Sequence, residues 1–131
     1  TDIHILPDFV GNRSPLADPH SRGSVVGLTL RRDLDHLALL YLATVQSIAY
    51  GTRHILETVR AKRHAEVTEL YMCGGSSNSD MYCQEHADVS GCEVVLPREA
   101  DAVLVGAGVL GAVAARYYRD VREAMASMNH V

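Results

Sequence analysis

Apolar residues recur every three or four positions through the middle of the chain. The recurring positions are Leu37, Tyr41, Thr44, Ile48, Thr52, Ile55 and Val59. This spacing puts them on one face of a helix, and Asp33 precedes the run as an N-cap residue would. The pattern predicts one long amphipathic helix over residues 34–63. Its basic end, residues 60–64, indicates a helix terminus, where cations face the last carbonyl groups, rather than a binding patch.

Three short apolar runs predict β-strands. Residues 24–30 precede the long helix, and residues 67–73 and 92–96 follow it. Between the last two, residues 81–90 predict a helix that Gly91 ends as its C′ residue. A strand, a helix and a strand with short connections form a βαβ crossover, so these two strands are predicted to be parallel.

The two ends of the chain differ in pattern. Residues 4–23 are dense in turn-forming residues, namely Pro7, Gly11, Asn12, Pro15, Asp18, Pro19 and Gly23. Such a density excludes a long regular element, so residues 1–23 are expected to be an ordered loop or a linker. Residues 102–119 are apolar and rich in small residues, and 121–128 continue as a terminal helix. Residues 24–131 are therefore predicted to form the strand and helix units of an α/β fold.

Composition narrows the functional classes. The 131 residues amount to about one domain, and 47% hydrophobic residues suffice for a packed core. A net charge of −4 leaves no basic stripe to neutralise phosphates, which argues against a nucleic acid as partner. No apolar run approaches the roughly 20 residues that a membrane-spanning helix needs, so no membrane role is expected.

The cysteines and histidines indicate no metal site. Cys73, Cys83 and Cys92 form neither an even disulfide framework nor a Cys-x-x-Cys pair, which favours a reducing, cytoplasmic location. The seven histidines include no His-x-x-x-His pair, and His54 with Glu57 lacks further ligands. We therefore expect no metal ligands, and histidines that are solvated on helix surfaces.

Two glycine motifs compete as candidate nucleotide sites. Gly106, Gly108 and Gly111 satisfy the G-x-G-x-x-G pattern of dinucleotide-binding proteins. That pattern is informative where a second strand follows, with an acidic residue about 20 positions on, and here a predicted helix follows. We favour a helix whose small residues, Ala107, Gly111 and Ala115, let a sheet or helix approach closely. A dinucleotide-binding oxidoreductase is the weaker alternative.

Gly74 and Gly75 form the second motif, between a predicted strand and a predicted helix. Ligands of α/β sheets bind outside the carboxyl ends of strands, and two adjacent glycines let a ligand lie against bare backbone. Further donors follow at Ser76, Ser77, Asn78 and Ser79. A Gly-Gly turn in which Ser79 or Asp80 caps the next helix explains the same residues, and the spacing alone leaves both interpretations open.

Taken in order, these segments resemble the C-terminal part of the FGGY carbohydrate kinases. The resemblance covers nearly the whole chain in order, through residues 11–15, 18–19, 22–23, 27–29, 43–53, 74–75, 87–88, 91, 94 and 102–107. The sequence Gly-Asn-Arg-Ser-Pro at 11–15 resembles the D-ribulose kinase branch more than the glycerol kinases. The resemblance implies an actin-like fold of two ribonuclease-H-like domains. This chain would then be the later part of the second, nucleotide-binding domain.

The resemblance also implies site residues. Gly74 and Gly75 would border the nucleotide between its phosphates and its adenine, Ser79 matches a position that faces the adenine, and Asp35 matches a polar position near the nucleoside. The catalytic base of the family is an Asp at the start of the second domain. No catalytic residue is therefore expected here, and the base and the sugar-binding residues are expected upstream of Thr1.

The function implied is that of a kinase that uses ATP and Mg²⁺ to phosphorylate a ketopentose such as D-ribulose. This segment would hold ATP, with the missing N-terminal part of the kinase as its partner. A non-catalytic nucleotide-binding module is the other alternative. Because upstream strands would cover its open sheet edge, the isolated segment is expected to be marginally stable or to self-associate as a homo-oligomer.

Overall fold

Four short strands and four α-helices form within residues 1–62, 66–99 and 101–130, the residues described in a computed structural model of the chain. In chain order they are β1 (His4–Leu6), β2 (Ser24–Val26), α1 (Leu34–Ala61), β3 (Glu69–Tyr71), α2 (Asp80–Ser90), β4 (Glu93–Val95), α3 (Ala102–Ala114) and α4 (Val121–Met128). A 3-10 turn, Gly75–Asn78, lies between β3 and α2. The chain divides into two compact units. The first contains Thr1–Thr68 and Gln84–Cys92, and the second contains Glu69–Cys83 and the residues from Glu93 onward.

The first unit is built on the antiparallel pairing of β1 with β2, in which Ile5 lies opposite Val25. α1 packs against β1, and the buried residues of these two elements and their surroundings include Ile3, Ala43, Val45, Ser47 and Ala49. The long helix is confirmed, but its buried side consists largely of small residues that let the strand approach. The apolar face that the periodicity predicts is exposed to solvent near the N-terminal end of α1, where Leu37 and Tyr41 are more than half exposed.

The second unit contains the parallel pair that the crossover pattern predicts. β3 and β4 pair with Leu70 opposite Val94. Met72 N–H extends the ladder by donating to Val95 O at 3.0 Å. α3 and α4 pack on each other in the same unit. The α/β class and the parallel register are therefore confirmed.

The strands are shorter than the sequence pattern predicts. Gly27, at φ +89°, directly follows the last residue of β2, and the runs 67–73 and 92–96 are strand only at their centres. The bounds of α2 agree better, since Gly91 follows it at φ +71° as a C′ glycine should. Glycine tolerates positive φ because it lacks a Cβ, which explains why regular structure ends at both glycines.

The C-terminal end of α1 is closed by Lys62, whose N–H donates to Val59 O at 3.1 Å and to Thr58 O at 3.3 Å. Arg60 lies in the last turn, where a cation is favourable. Residues 63 and 64 of the predicted basic end lie outside the described residues. Of the helices described, neither this one nor any other is both long enough and apolar enough to cross a membrane.

The loop between β1 and β2 is organised around the buried carboxylate of Asp8. This group accepts hydrogen bonds from Asn12 Nδ2 at 3.1 Å and from Ser21 Oγ at 2.8 Å. Asn12 N–H also donates to Asp18 O at 2.8 Å. These hydrogen bonds join polar groups of the loop to one another. The sequence pattern predicts no strand before residue 24, and β1 shows that this prediction is wrong for residues 4–6. A strand of three residues is too short to show the alternating period of a strand.

Gly27 provides a test of this fold with a matched control. A Cβ at Gly27 would meet the main-chain oxygen of Asp2, and φ is positive, so Gly27→Ala should lower the free energy of unfolding by about 1–3 kcal/mol. An added Cβ at Gly51, inside α1, meets no described atom within 4 Å outside the adjacent turns of its own helix. Gly51→Ala should therefore raise the free energy of unfolding by roughly 0.5–1 kcal/mol. Urea unfolding measures both signs, and a Gly27→Ala variant as stable as the wild type would contradict the position of β2.

The G-x-G-x-x-G motif lies wholly inside α3. Gly106, Gly108 and Gly111 all fall in this helix, without the strand that a dinucleotide site requires before its first glycine. The helical interpretation is therefore confirmed. The close approach expected along the stripe that includes Gly111 is wrong for the described residues, because an added Cβ there meets no atom within 4 Å. Gly108 instead faces α4, with the Met128 methyl group 3.6 Å from an added Cβ.

Candidate functional site

Gly74 and Gly75 lie just beyond the carboxyl end of β3. Gly74 has φ +94° and ψ −178°, a conformation that essentially only glycine adopts without strain. Gly75 has no positive φ and begins the 3-10 turn. An added Cβ at either glycine meets no described atom within 4 Å. The main chain is therefore bare on that side, as a backbone that contacts a ligand must be.

Ser77 holds the turn together. Its N–H donates to Gly74 O at 3.1 Å, and its Oγ donates to the same oxygen at 2.7 Å. The Ser77 carbonyl in turn accepts from Cys83 Sγ at 3.5 Å. The sequence pattern offers Ser77 as a donor to a ligand, whereas the structure places its hydroxyl on the backbone of its own loop.

Ser79 is the capping residue of α2. Its Oγ accepts from Tyr82 N at 3.3 Å and its carbonyl accepts from Cys83 N at 3.0 Å. Asp80 adds a negative charge in the first turn, which suits a helix N-terminus. The capping interpretation of Ser79 is therefore confirmed. It does not exclude a ligand contact, because a hydroxyl that accepts through its oxygen can still donate its hydrogen.

Asp35 lies in the first turn of α1, in the first unit, whereas the glycine pair and Ser79 lie in the second. Its side chain is exposed. The N-cap is Asp33, whose carboxylate accepts from His36 N at 2.8 Å and from Arg31 Nε at 3.0 Å. The Arg31 guanidinium, followed by the His36 N–H, lowers the pKa of Asp33. These bonds therefore stabilise α1 above the usual pKa of an aspartate, and that stability is lost as pH falls through the lowered pKa.

A cavity of about 560 Å³ opens in the second unit among β3, α3 and α4. Its lining is mostly apolar and includes Met72, Cys73, Val105, Val109 and Met125. The glycine pair and Ser79 do not line it. The glycine pair is adjacent in the chain to Cys73, which does line the cavity.

Metal-binding side chains do not cluster in the described part of the chain, where no group of three or more His, Cys, Asp or Glu could hold an ion. Cys73, Cys83 and Cys92 are free thiols. The expectation of solvated histidines is wrong for His86, which is 3% exposed. α2 contains few aliphatic side chains, and the residue of this helix that is buried is His86.

A comparison with known proteins finds relatives that are similar to this chain in sequence. The model of the C-terminal domain of the FGGY family of carbohydrate kinases matches residues 1–115. An FGGY carbohydrate kinase domain-containing protein of Xenopus laevis is 54% identical over 130 residues, which are 99% of this chain and 24% of that protein. A D-ribulokinase of Saccharomyces cerevisiae is 35% identical over 117 residues, 88% of this chain and 16% of the enzyme. The chain thus spans a quarter or less of the length of these relatives.

Solved structures agree on the fold. A ligand-bound xylulose kinase from Lactobacillus acidophilus has a TM-score of 0.74 at 23% identity, covering 98% of this chain and 25% of that one. A Plasmodium falciparum glycerol kinase with ADP has a TM-score of 0.72 at 18% identity, with the same two coverages. The chain therefore has the fold of the corresponding part of these sugar kinases, an actin-like ATPase fold. Since the family model covers most of its length, this chain belongs to the FGGY family of carbohydrate kinases, as part of their C-terminal domain.

Proposed function

We propose that this chain is the ATP-holding part of a carbohydrate kinase that phosphorylates a hydroxyl of a ketopentose such as D-ribulose. The observation that carries the proposal is the bare glycine pair beyond the carboxyl end of β3, in a chain of the carbohydrate kinase family. Ligands of α/β sheets bind at such strand ends. The glycerol kinase with ADP supports ATP as the nucleotide.

Four residues are proposed to hold the nucleotide. Gly74 and Gly75 would let it lie against the main chain between its phosphates and its adenine, because no side chain of theirs intervenes. Ser79 would donate its hydroxyl hydrogen toward the adenine while its oxygen caps α2. Asp35, exposed at the start of α1, would accept hydrogen bonds near the nucleoside. The bare backbone fits ATP, and these residues bind and orient it.

The chemistry itself is proposed to depend on the rest of the kinase. Bound ATP supplies the γ-phosphoryl group that the sugar hydroxyl attacks, and Mg²⁺ neutralises the charge that develops. Mg²⁺ usually binds through one or two carboxylates together with the phosphates of the nucleotide. The base that takes the hydroxyl proton is proposed to lie upstream of Thr1, and no residue here is assigned a catalytic role.

D-ribulose is proposed over other sugars on two grounds. The Saccharomyces cerevisiae relative is named a D-ribulokinase, and the Gly-Asn-Arg-Ser-Pro sequence at 11–15 resembles the same branch. Proteins of similar fold are named xylulose and glycerol kinases, so D-xylulose and glycerol are the substrates to compare. The glycine motif of the dinucleotide-binding alternative lies inside α3, where a dinucleotide site would need a strand and a turn.

The complete kinase should use D-ribulose with a kcat/KM at least about tenfold above that for D-xylulose or glycerol. A site that hydrogen-bonds substrate hydroxyls discriminates strongly against analogues that leave its polar groups unpaired. Release of ADP at saturating ATP, measured with each sugar, checks this expectation. An equal or higher kcat/KM for D-xylulose or glycerol contradicts the sugar assignment. Nucleotide binding without turnover of any sugar would favour a non-catalytic nucleotide-binding module.

We also propose that the kinase is cytoplasmic. The support is the state of its cysteines, because Cys73, Cys83 and Cys92 are all free thiols. A reducing compartment maintains cysteines in this state. Cys73 is in addition exposed, so an oxidising compartment would leave it open to disulfide exchange.

A further inference from the structure

We propose that Ser77 is a positioning residue of the nucleotide site, whose hydroxyl fixes the orientation of the peptide between Gly74 and Gly75. The inference rests on the proposed function, since it concerns how the same glycine pair is presented. It gives Ser77 a task that differs from direct contact with the nucleotide.

A peptide between two glycines is difficult to hold in one orientation. Glycine adopts positive and negative φ almost equally well, and it loses more conformational entropy on ordering than any other residue. Gly74 lies at φ +94°, and no side chain of its own or of Gly75 can pack to maintain that angle. A bare surface that binds one ligand pose therefore needs an external constraint on its backbone.

Ser77 supplies that constraint through two hydrogen bonds to one atom. Gly74 O accepts from Ser77 N at 3.1 Å and from Ser77 Oγ at 2.7 Å. Because the C=O and N–H of a trans peptide point in opposite directions, holding the Gly74 carbonyl toward Ser77 turns the Gly75 N–H away from it. The hydroxyl thereby fixes the direction in which this donor points.

The constraint is anchored in α2. The Ser77 carbonyl accepts from Cys83 Sγ at 3.5 Å, and the N–H of the same cysteine donates to Ser79 O at 3.0 Å. A series of contacts thus connects the first turn of α2, through Ser77, to the Gly74 carbonyl. Ser77 is half-buried within this series, whereas its neighbour Ser76 is exposed. Because of this difference in burial, we assign the positioning role to Ser77 and not to Ser76.

The test measures ADP affinity and thermal stability in the complete kinase. Ser77→Ala should weaken ADP binding by about two- to tenfold, the range that one net hydrogen bond produces in an equilibrium constant. Ser77→Thr keeps a hydroxyl on the same carbon and should stay within about twofold of the wild type. Ser90→Ala is the matched control, because Ser90 Oγ also donates to a main-chain carbonyl, that of His86, at the other end of α2. Calorimetric titration with ADP and a melting curve are recorded for each variant.

The outcomes separate this inference from the proposed function. ADP affinity lost in Ser77→Ala, retained in Ser77→Thr and retained in Ser90→Ala supports the positioning role. A melting temperature lowered equally in Ser77→Ala and Ser90→Ala, with unchanged ADP affinity, overturns it, because that result describes a purely structural bond. Equal losses in the alanine and threonine variants also overturn it. Gly75→Val tests the proposed nucleotide site separately from the role of Ser77. If this variant binds ADP as the wild type does, the assignment of the glycine pair to the nucleotide site is wrong.

Discussion

Gly75→Val is expected to weaken ATP binding to the complete kinase by about 1–3 kcal/mol, the usual cost of forcing extra methyl groups into an occupied space. That loss is roughly five- to 150-fold in affinity. An added Cβ at Gly75 meets no described atom within 4 Å, and φ is not positive there, so neither a contact of the Cβ nor backbone strain opposes the substitution. The clash arises only when ATP is bound, and sugar affinity should change less than ATP affinity. Titrations with ATP and with sugar measure the two effects.

Gly111→Val is the matched control for this experiment. An added Cβ at Gly111 also meets no described atom within 4 Å beyond the neighbouring turns of its helix, α3, which lies away from the glycine pair along the chain. The same substitution should therefore leave ATP affinity unchanged. Gly74→Val is a poorer test, because φ +94° adds backbone strain to any effect on the ligand. Equal ATP titrations for the wild type and Gly75→Val would remove the glycine pair from the site.

The helices were predictable because they contain several turns of consistent pattern. α1 begins directly after its N-cap Asp33, and α2 ends directly before Gly91, as the capping rules require. Periodicity did not predict which side of α1 is buried. Burial depends on what packs against a helix, and β1 approaches α1 over small side chains.

The strands were less predictable because each has only three residues. β3 and β4 lie within longer apolar runs, so their existence and parallel pairing followed from the βαβ pattern while their bounds did not. β1 showed no usable pattern, since it borders a segment rich in proline and glycine. Its pairing with β2 is a long-range contact, which local sequence does not encode.

The candidate site was predictable in its position and less so in its detail. Two glycines after an apolar run indicate where bare backbone follows a strand, and the structure has this arrangement at Gly74 and Gly75. The four polar residues that follow looked equivalent in the sequence. The 3-10 turn distinguishes them, because it brings the Ser77 hydroxyl onto the Gly74 carbonyl and leaves Ser79 to cap α2.

Residues 1–131, purified alone, are expected to transfer no phosphate to any sugar. The groups that would have to serve as the base are carboxylates, such as Asp33, Asp35, Asp80, Asp88 and Asp101. Asp33 is bound to Arg31 and to the His36 N–H, which lower its pKa, whereas an efficient general base has a pKa near the working pH. Asp88 accepts from Gln84 Nε2 at 2.7 Å. The others lie at the beginnings of helices.

The same isolated chain should bind ATP weakly and self-associate, because large apolar side chains are exposed along its helices. Leu34 on α1 is 81% exposed and Val103 on α3 is 83% exposed, and extended apolar surfaces of this kind promote association. Light scattering and an ADP-release assay with D-ribulose measure both expectations on one preparation. If the isolated chain turned over ATP in a sugar-dependent way, and one of the five carboxylates proved essential, the catalytic base would lie in this chain and not upstream. The proposed function requires that every preparation of the isolated chain is inactive. Turnover should be restored only in the complete kinase.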